Sequence, residues 1–95
     1  MTKIALTLQS VVAQSPDLIG TNIEDHTALL SVTNGAYYSL DPVASRVWQI
    51  IEQARPVASV VDQLLGEYAV DRSMCEAQTL AFLQQLADAE LLALQ

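Results

Sequence analysis

Hydrophobic and polar residues change rhythm near the middle of this chain. Before about residue 40 they alternate in short runs, and after it they recur every three or four positions. Thr27 to Thr33 (TALLSVT) reads as a strand that closes on Asn34-Gly35. Asn-Gly is the preferred pair for a two-residue type I′ turn, because both central residues need positive φ. Ala36 to Leu40 then returns as a short aromatic strand. With Asn34-Gly35 as the loop, Thr33 faces Ala36, Val32 faces Tyr37, Ser31 faces Tyr38, Leu30 faces Ser39 and Leu29 faces Leu40. Alternation places Leu30, Val32 and Tyr37 on one side and Leu29, Tyr38 and Leu40 on the other. Both faces carry bulky apolar groups, so one meets the helices and the other needs partial cover. Upstream, residues 1–9 alternate weakly, as a frayed strand would. Val11-Val12-Ala13 is a short β-prone run ended by Ser15-Pro16-Asp17. Residues 18–26 read as a loop around Gly20, with polar Asn22, Glu24 and Asp25.

Three helices follow. Asp41 supplies a cap and Pro42 fits a first turn, where its missing N–H is no loss. Val43, Val47, Ile50 and Ile51 then recur at helical spacing with Trp48 beside them, and the helix ends before Arg55-Pro56. In the second helix Val57, Val60, Val61, Leu64, Leu65 and Tyr68 form one stripe. The third opens at Ser73, with Glu76 three residues on in a capping-box pattern, and runs to about Glu90. Cys75, Thr79, Phe82 and Leu86 form one stripe of it; Leu80, Leu83, Ala87 and Leu91 form a second. Together they cover roughly 180° of the helix, against ~100° for a one-sided surface helix. Either the helix is wedged between sheet and helices, or one stripe faces the core and the other lines an open groove.

Strands followed by helices in 95 residues predict one α+β domain spanning 1–95, with its core at about 11–92. The expected architecture is winged helix-turn-helix-like, a three-stranded antiparallel sheet packed on three α-helices. If Thr27–Thr33 pairs with the N-terminal strand on its other side, Ala36–Leu40 is a free edge with no Lys or Pro to protect it. An extended peptide could add there as a further strand, with main-chain hydrogen bonds for affinity and side-chain pockets for selectivity. The same edge would also serve a homodimer.

The apolar fraction of 52% argues against disorder, and the net charge is −7. The four cations, Lys3, Arg46, Arg55 and Arg72, are scattered. Nucleic-acid binding needs them clustered, and Ser73–Glu90 contains none, so a winged-helix DNA-binding regulator is disfavoured as is any nucleic-acid partner. No apolar run reaches a membrane span, and no signal peptide is evident, so a cytosolic protein without a membrane partner is expected.

Catalytic chemistry is missing from the pattern. His26 stands alone beside Asp25 and reads as a solvated loop residue. Cys75 lies in the first turn of a helix, where the dipole can lower a thiol pKa, but its neighbours are apolar or acidic, and a small packed residue is the expected role. A structural zinc site needs about four ligands, and this chain offers no convincing set. Gly20, Gly35 and Gly66 are isolated, so no phosphate loop is present. A non-enzyme with no metal and no cofactor is expected. Trp48 and Tyr68 fall in apolar stripes and read as core.

Several stretches in fixed order carry a resemblance: Ala28-Leu29-Leu30, then Asn34-Gly35-Ala36-Tyr37-Tyr38-Ser39-Leu40-Asp41, then Val47-Trp48, Glu67-Tyr68-Ala69-Val70-Asp71 and Leu80-Ala81-Phe82-Leu83-Gln84-Gln85-Leu86, followed by Leu91-Leu92. This order resembles the PqqD family over roughly residues 11–92. The resemblance implies a recognition element for ribosomally made, post-translationally modified peptides, which binds a precursor's leader and delivers it to a leader peptidase or other modifying enzyme. In such domains the leader adds as a strand to the third β-strand and packs on the third helix. Carried onto this chain, the peptide-binding residues are Gly35, Ala36, Tyr37, Tyr38, Ser39, Leu40, Cys75, Gln78, Thr79, Phe82 and Leu86. There are departures: Asp41 stands where many relatives have Asn, Ala44 where Gly is common, and Gln78 where an acidic residue is common. Ala89-Glu90 replaces a small-Gly turn, so the end of the third helix is expected to stay helical. A free-standing form fits several such pathways; the single-domain length, the long N-terminal strand region and the SLDPVASRVW segment lean towards the lasso-peptide type, acting beside a separate leader protease. The alternative is a PqqD-type peptide chaperone for a radical enzyme in cofactor biosynthesis. A structural subunit whose groove seats a constant protein partner is a third reading.

Overall fold

Backbone pairing in this computed structural model, which describes residues 5–16, 18–24, 26–32 and 35–94, gives two small sheets rather than one. The first has strand order β2-β3-β4, from β2 (Leu18–Ile23), β3 (His26–Ser31) and β4 (Tyr37–Leu40), all antiparallel. The second has order β5-β1-β6, from β1 (Val11–Gln14), β5 (Arg55–Pro56) and β6 (Leu92–Leu94). Three helices complete the fold: α1 (Pro42–Ile50), α2 (Val57–Glu67) and α3 (Arg72–Asp88). The expected α+β fold, a three-stranded antiparallel sheet on three helices, is therefore present, with a second sheet added.

β2 corrects the loop expected at 18–26. It pairs with β3 over six positions, from Leu18↔Ser31 to Ile23↔His26. Glu24 turns the chain with φ 58, in the left-handed region that such tight hairpins require. Most of β2 is exposed, so backbone pairing rather than burial defines it, and a hydrophobicity pattern reports it poorly. β2 is also the partner that the N-terminal strand was expected to be. Residues 5–10 form no strand but a turn, with Ser10 N–H donating to the Thr7 carbonyl at 3.1 Å. β1 instead crosses to the chain's far end, where Val12 pairs with both Arg55 and Leu94. Pro56 is tolerated because β5 is an edge strand.

The β3–β4 register also differs. Leu30 faces Tyr37, Leu29 faces Tyr38, Ala28 faces Ser39 and Thr27 faces Leu40, a slip of two residues from the expected pairing. The connection closes with Ser31 N–H donating to the Ala36 carbonyl (2.9 Å) and Gly35 N–H to the Ser31 carbonyl (2.8 Å), so it is wider than a two-residue turn. Thr33 and Asn34 lie outside the described residues. A slip of two, unlike a slip of one, keeps every side chain on its expected face. Leu29 and Leu40 are buried and Tyr38 half-buried, while Leu30, Val32 and Tyr37 are exposed.

Asp41 caps α1, its Oδ1 accepting the Ala44 N–H at 2.8 Å. In α3 the cap is Asp71 and not Ser73: Asp71 Oδ2 accepts the Met74 N–H at 3.2 Å, and Ser73 lies inside the helix. Aspartate outcompetes serine here because its position leaves the first orphan N–H groups within reach. The helix ends at Asp88, correcting the expected continuation through Glu90. Leu91 N–H returns to the Leu86 carbonyl (2.8 Å) and Glu90 N–H to the Ala87 carbonyl (3.0 Å). This is a Schellman ending with Glu90 in the left-handed position at φ 62. The turn buries Leu91 and aims the chain into β6.

The core lies where the helices meet the inner face of β2-β3-β4 and the central strand β1. Val12, Leu29, Ile51, Val57, Val60, Val61, Leu83 and Leu91 are almost wholly buried, and Trp48 joins them as expected. Full burial contributes roughly 1.5–3 kcal/mol for each such Leu or Ile.

Candidate functional site: an open strand edge beside an apolar groove

β4 is the outer strand of its sheet, and among the described residues no strand pairs with its other side. Ser31 N–H bonds the Ala36 carbonyl, so Ala36, Tyr38 and, at the far end, Leu40 turn their backbone groups towards β3. Alternation in an antiparallel ladder then turns the N–H and C=O of Tyr37 and Ser39 outwards, to the open edge. The Leu40 end confirms this parity. There the Ser45 hydroxyl, 4% exposed, stands between the two strands, accepting the Thr27 N–H at 2.8 Å and donating to the Leu40 carbonyl at 3.1 Å.

Beyond Leu40 the chain passes through Asp41 directly into a groove of about 380 Å³. α1 contributes Val43, Ala44 and Val47; α3 contributes Met74, Cys75, Gln78, Thr79 and Phe82; the end of α2 and the residues after it contribute Leu64, Tyr68 and Val70. The α3 residues fall at spacings of one, three and four, which is one helix face. The floor is buried: Val47, Leu64, Cys75 and Thr79 are each under 9% exposed. Cys75 Sγ lies 3.9 Å from Thr79 Oγ1, a packed pair within the floor. The rim is open and apolar, with Val43, Tyr68, Val70 and Met74 between 37 and 58% exposed. Asp41 is the charged residue of the lining.

A paired charge outside the groove holds its walls. Arg46 Nε and Nη2 meet the two carboxylate oxygens of Glu67 at 2.7 and 2.6 Å, tying α1 to the end of α2 just before Tyr68. Hydrogen bonds from Arg46 and then Gln63 hold the Glu67 carboxyl down to about 2. Glu67 in turn raises the Arg46 guanidinium above its usual value. Arg72, now inside α3, is held by Asp62 at 2.9 Å and Glu76 at 3.5 Å.

The residues singled out from the sequence separate into three places. Cys75, Gln78, Thr79 and Phe82 meet in the groove. Gly35, Tyr37 and Ser39 are exposed along β4 or just before it, with Ala36 and Tyr38 half-buried beside them. Leu40 and Leu86 are core residues, 6 and 4% exposed, and Leu86 does not line the groove. The third helix thus meets the core and the groove at once, but the expected stripe of Cys75, Thr79, Phe82 and Leu86 is split: Cys75, Thr79 and Phe82 line the groove, while Leu86 joins Leu83 in the core. Two expectations change. Val43 lies on the rim, not in the core stripe of α1, and Tyr68, read as core, is 37% exposed at the groove. Val70 and Met74 are further lining residues that the stripes do not report: Met74 is an apolar residue off the buried stripe of α3, and Val70 is an apolar residue of the link between α2 and α3. His26 is exposed at the start of β3, a strand rather than a loop. Among the described residues no group of three His, Cys, Asp or Glu side chains could hold a metal ion, and no helix is long and apolar enough to cross a membrane.

Residues 26–92 match the family model described as coenzyme PQQ synthesis protein D (PqqD). The chain is 38% identical over 48 residues to a PqqA binding protein of Rhodopseudomonas palustris (strain BisB5), and 40% identical over 48 residues to that of strain HaA2. Each match covers 50% of this chain and 47% of the relative, so it spans about half of those curated proteins. Among solved structures the chain is similar to TbiB1 in complex with the TbiA(beta) leader peptide. That likeness has a TM-score of 0.79 and 36% identity, and covers 84% of this chain and 93% of TbiB1.

Proposed function

Because the chain belongs to the PqqD family, we propose that it is a non-catalytic adaptor for the leader of a ribosomal precursor peptide. The leader adds as a strand to β4, lays its inward side chains into the α1–α3 groove, and is presented to a leader protease or another modifying enzyme. One observation carries this reading: the outward N–H and C=O groups of Tyr37 and Ser39 run straight into the apolar groove that begins at Asp41. Main-chain bonds and side-chain pockets are thereby available to one extended segment. The groove supplies van der Waals contact and apolar burial rather than ion pairs, so the interaction is largely insensitive to salt.

Within this reading we assign the leader to a lasso-type pathway with a separate protease. The SLDPVASRVW segment is what leans this way; the likeness to TbiB1, described with a leader peptide, supports peptide capture in either pathway. PqqA-type capture for a radical enzyme is the second reading, favoured by the names of those relatives. Titration of fluorescently labelled leader from a precursor encoded beside this chain, followed by anisotropy, tests both. Saturable binding that survives added salt supports capture, and preference for PqqA over that leader would move the assignment to the second reading. Binding of an intact enzyme in the absence of any leader peptide affinity would replace capture with a structural-subunit role.

A further inference from the structure

The outer face of the β2-β3-β4 sheet, turned away from the helices, carries an apolar row in register across all three strands. Ile19 pairs with Leu30 and Leu30 with Tyr37, and the three are 55, 42 and 65% exposed. The next row, Thr21, Ala28 and Ser39, is small or polar. Single exposed apolar residues are ordinary on a protein surface. A row that crosses a whole sheet and stops at its open edge has a direction, and it points at whatever strand is added next.

Resting on the capture reading above, we propose that this row is a second recognition element for the bound peptide. It selects an apolar side chain opposite Tyr37 and a small or polar one opposite Ser39, and so fixes the peptide's register. The geometry leaves the added strand no choice. Its side chains alternate between faces, so residues opposite Tyr38 and Leu40 turn towards the helices and those opposite Tyr37 and Ser39 lie on the outer face. The groove lining is apolar throughout most of its length, and a slip of two residues still presents inward side chains to it. Towards α1 the outer face changes from apolar to small or polar in one step, so a slip of two in that direction carries the peptide's outward apolar group from the Tyr37 row to the Ser39 row. Aromatic–aliphatic pairs across a ladder are the contacts that discriminate here.

The test is a coupling map. The probe is the labelled leader used above, with the TbiA(beta) leader as a second probe; each probe position is replaced in turn by serine and titrated against wild type, Tyr37→Thr and Phe82→Ala. Tyr37→Thr keeps strand propensity at an exposed site, and Leu30→Thr, one strand further in, is its companion should Tyr37→Thr melt early. One apolar probe residue is expected to lose about three- to fivefold affinity on serine substitution with wild type but not with Tyr37→Thr. Positions coupled to Phe82 are expected at odd spacing from it, on the other face. Coupling to Tyr37 and Phe82 at the same parity, or no coupling to Tyr37 while Phe82 couples, overturns the inference and leaves capture standing. No binding of either leader to wild type overturns both.

Discussion

The Ser45 hydroxyl takes the Thr27 N–H that would otherwise bond directly across the ladder, and hands its own proton to the Leu40 carbonyl. One buried side chain of α1 thus ends the β3–β4 pairing and fixes α1 to the strand whose other edge is open. Ser45→Ala leaves a buried donor and a buried acceptor unpaired. A loss of about 1–3 kcal/mol is expected, measured as a fall in the denaturant midpoint. A midpoint unchanged within error would mean that Thr27 and Leu40 close on each other without the hydroxyl.

Phe82 is half-buried between groove and core. Phe82→Ala should lower leader affinity about tenfold or more, as truncating a well-packed aromatic anchor does, while the domain remains folded by circular dichroism. Loss of the fold would place Phe82 in the core and remove it from the binding surface.

The Arg46–Glu67 fork makes stability depend on acid. A carboxyl whose folded-state pKa is depressed stabilises the fold above its ordinary value, near 4.5, and loses that contribution as pH falls towards about 2. The pair is solvent-accessible, so the contribution is screened and is expected to be no more than ~1 kcal/mol. Glu67→Gln should destabilise the protein slightly at pH 7 and flatten its stability profile between these two values. An unchanged profile in urea titrations at several pH values would show that the fork contributes nothing measurable.

Glu90 occupies the left-handed position of the α3 ending at φ 62, where glycine has no Cβ penalty. Glu90→Gly should raise stability by about 1 kcal/mol, visible as a higher melting temperature. A lower melting temperature would show that the Glu90 side chain holds the turn in some other way.

Much of this was legible in the residues themselves. The α1 cap at Asp41, the helix stripes, the faces of β3 and β4 and the floor residues Cys75 and Thr79 follow from periodicity and capping chemistry. β2 was hidden because its pairing is a backbone matter, with Gly20 and Asn22 where a buried strand would carry bulk. The slip between β3 and β4 was hidden because Asn34-Gly35 advertises a tighter turn than the chain makes, and a two-residue shift leaves hydrophobic patterning unchanged. β5-β1-β6 joins segments far apart in sequence through short strands, which no local pattern reports. Tyr68 and Val43 sat in the right helical stripes for burial, yet the helices part around them to form the groove.

The most direct test of strand capture compares two proline variants in the anisotropy titration. Ser39 N–H faces the open edge and Tyr38 N–H faces β3, so Ser39→Pro removes a donor for the peptide whereas Tyr38→Pro removes one that holds the sheet. Ser39→Pro is expected to stay folded and to bind the leader about tenfold more weakly, with Tyr38→Pro losing stability first. Wild-type affinity in a folded Ser39→Pro protein would contradict peptide pairing along β4.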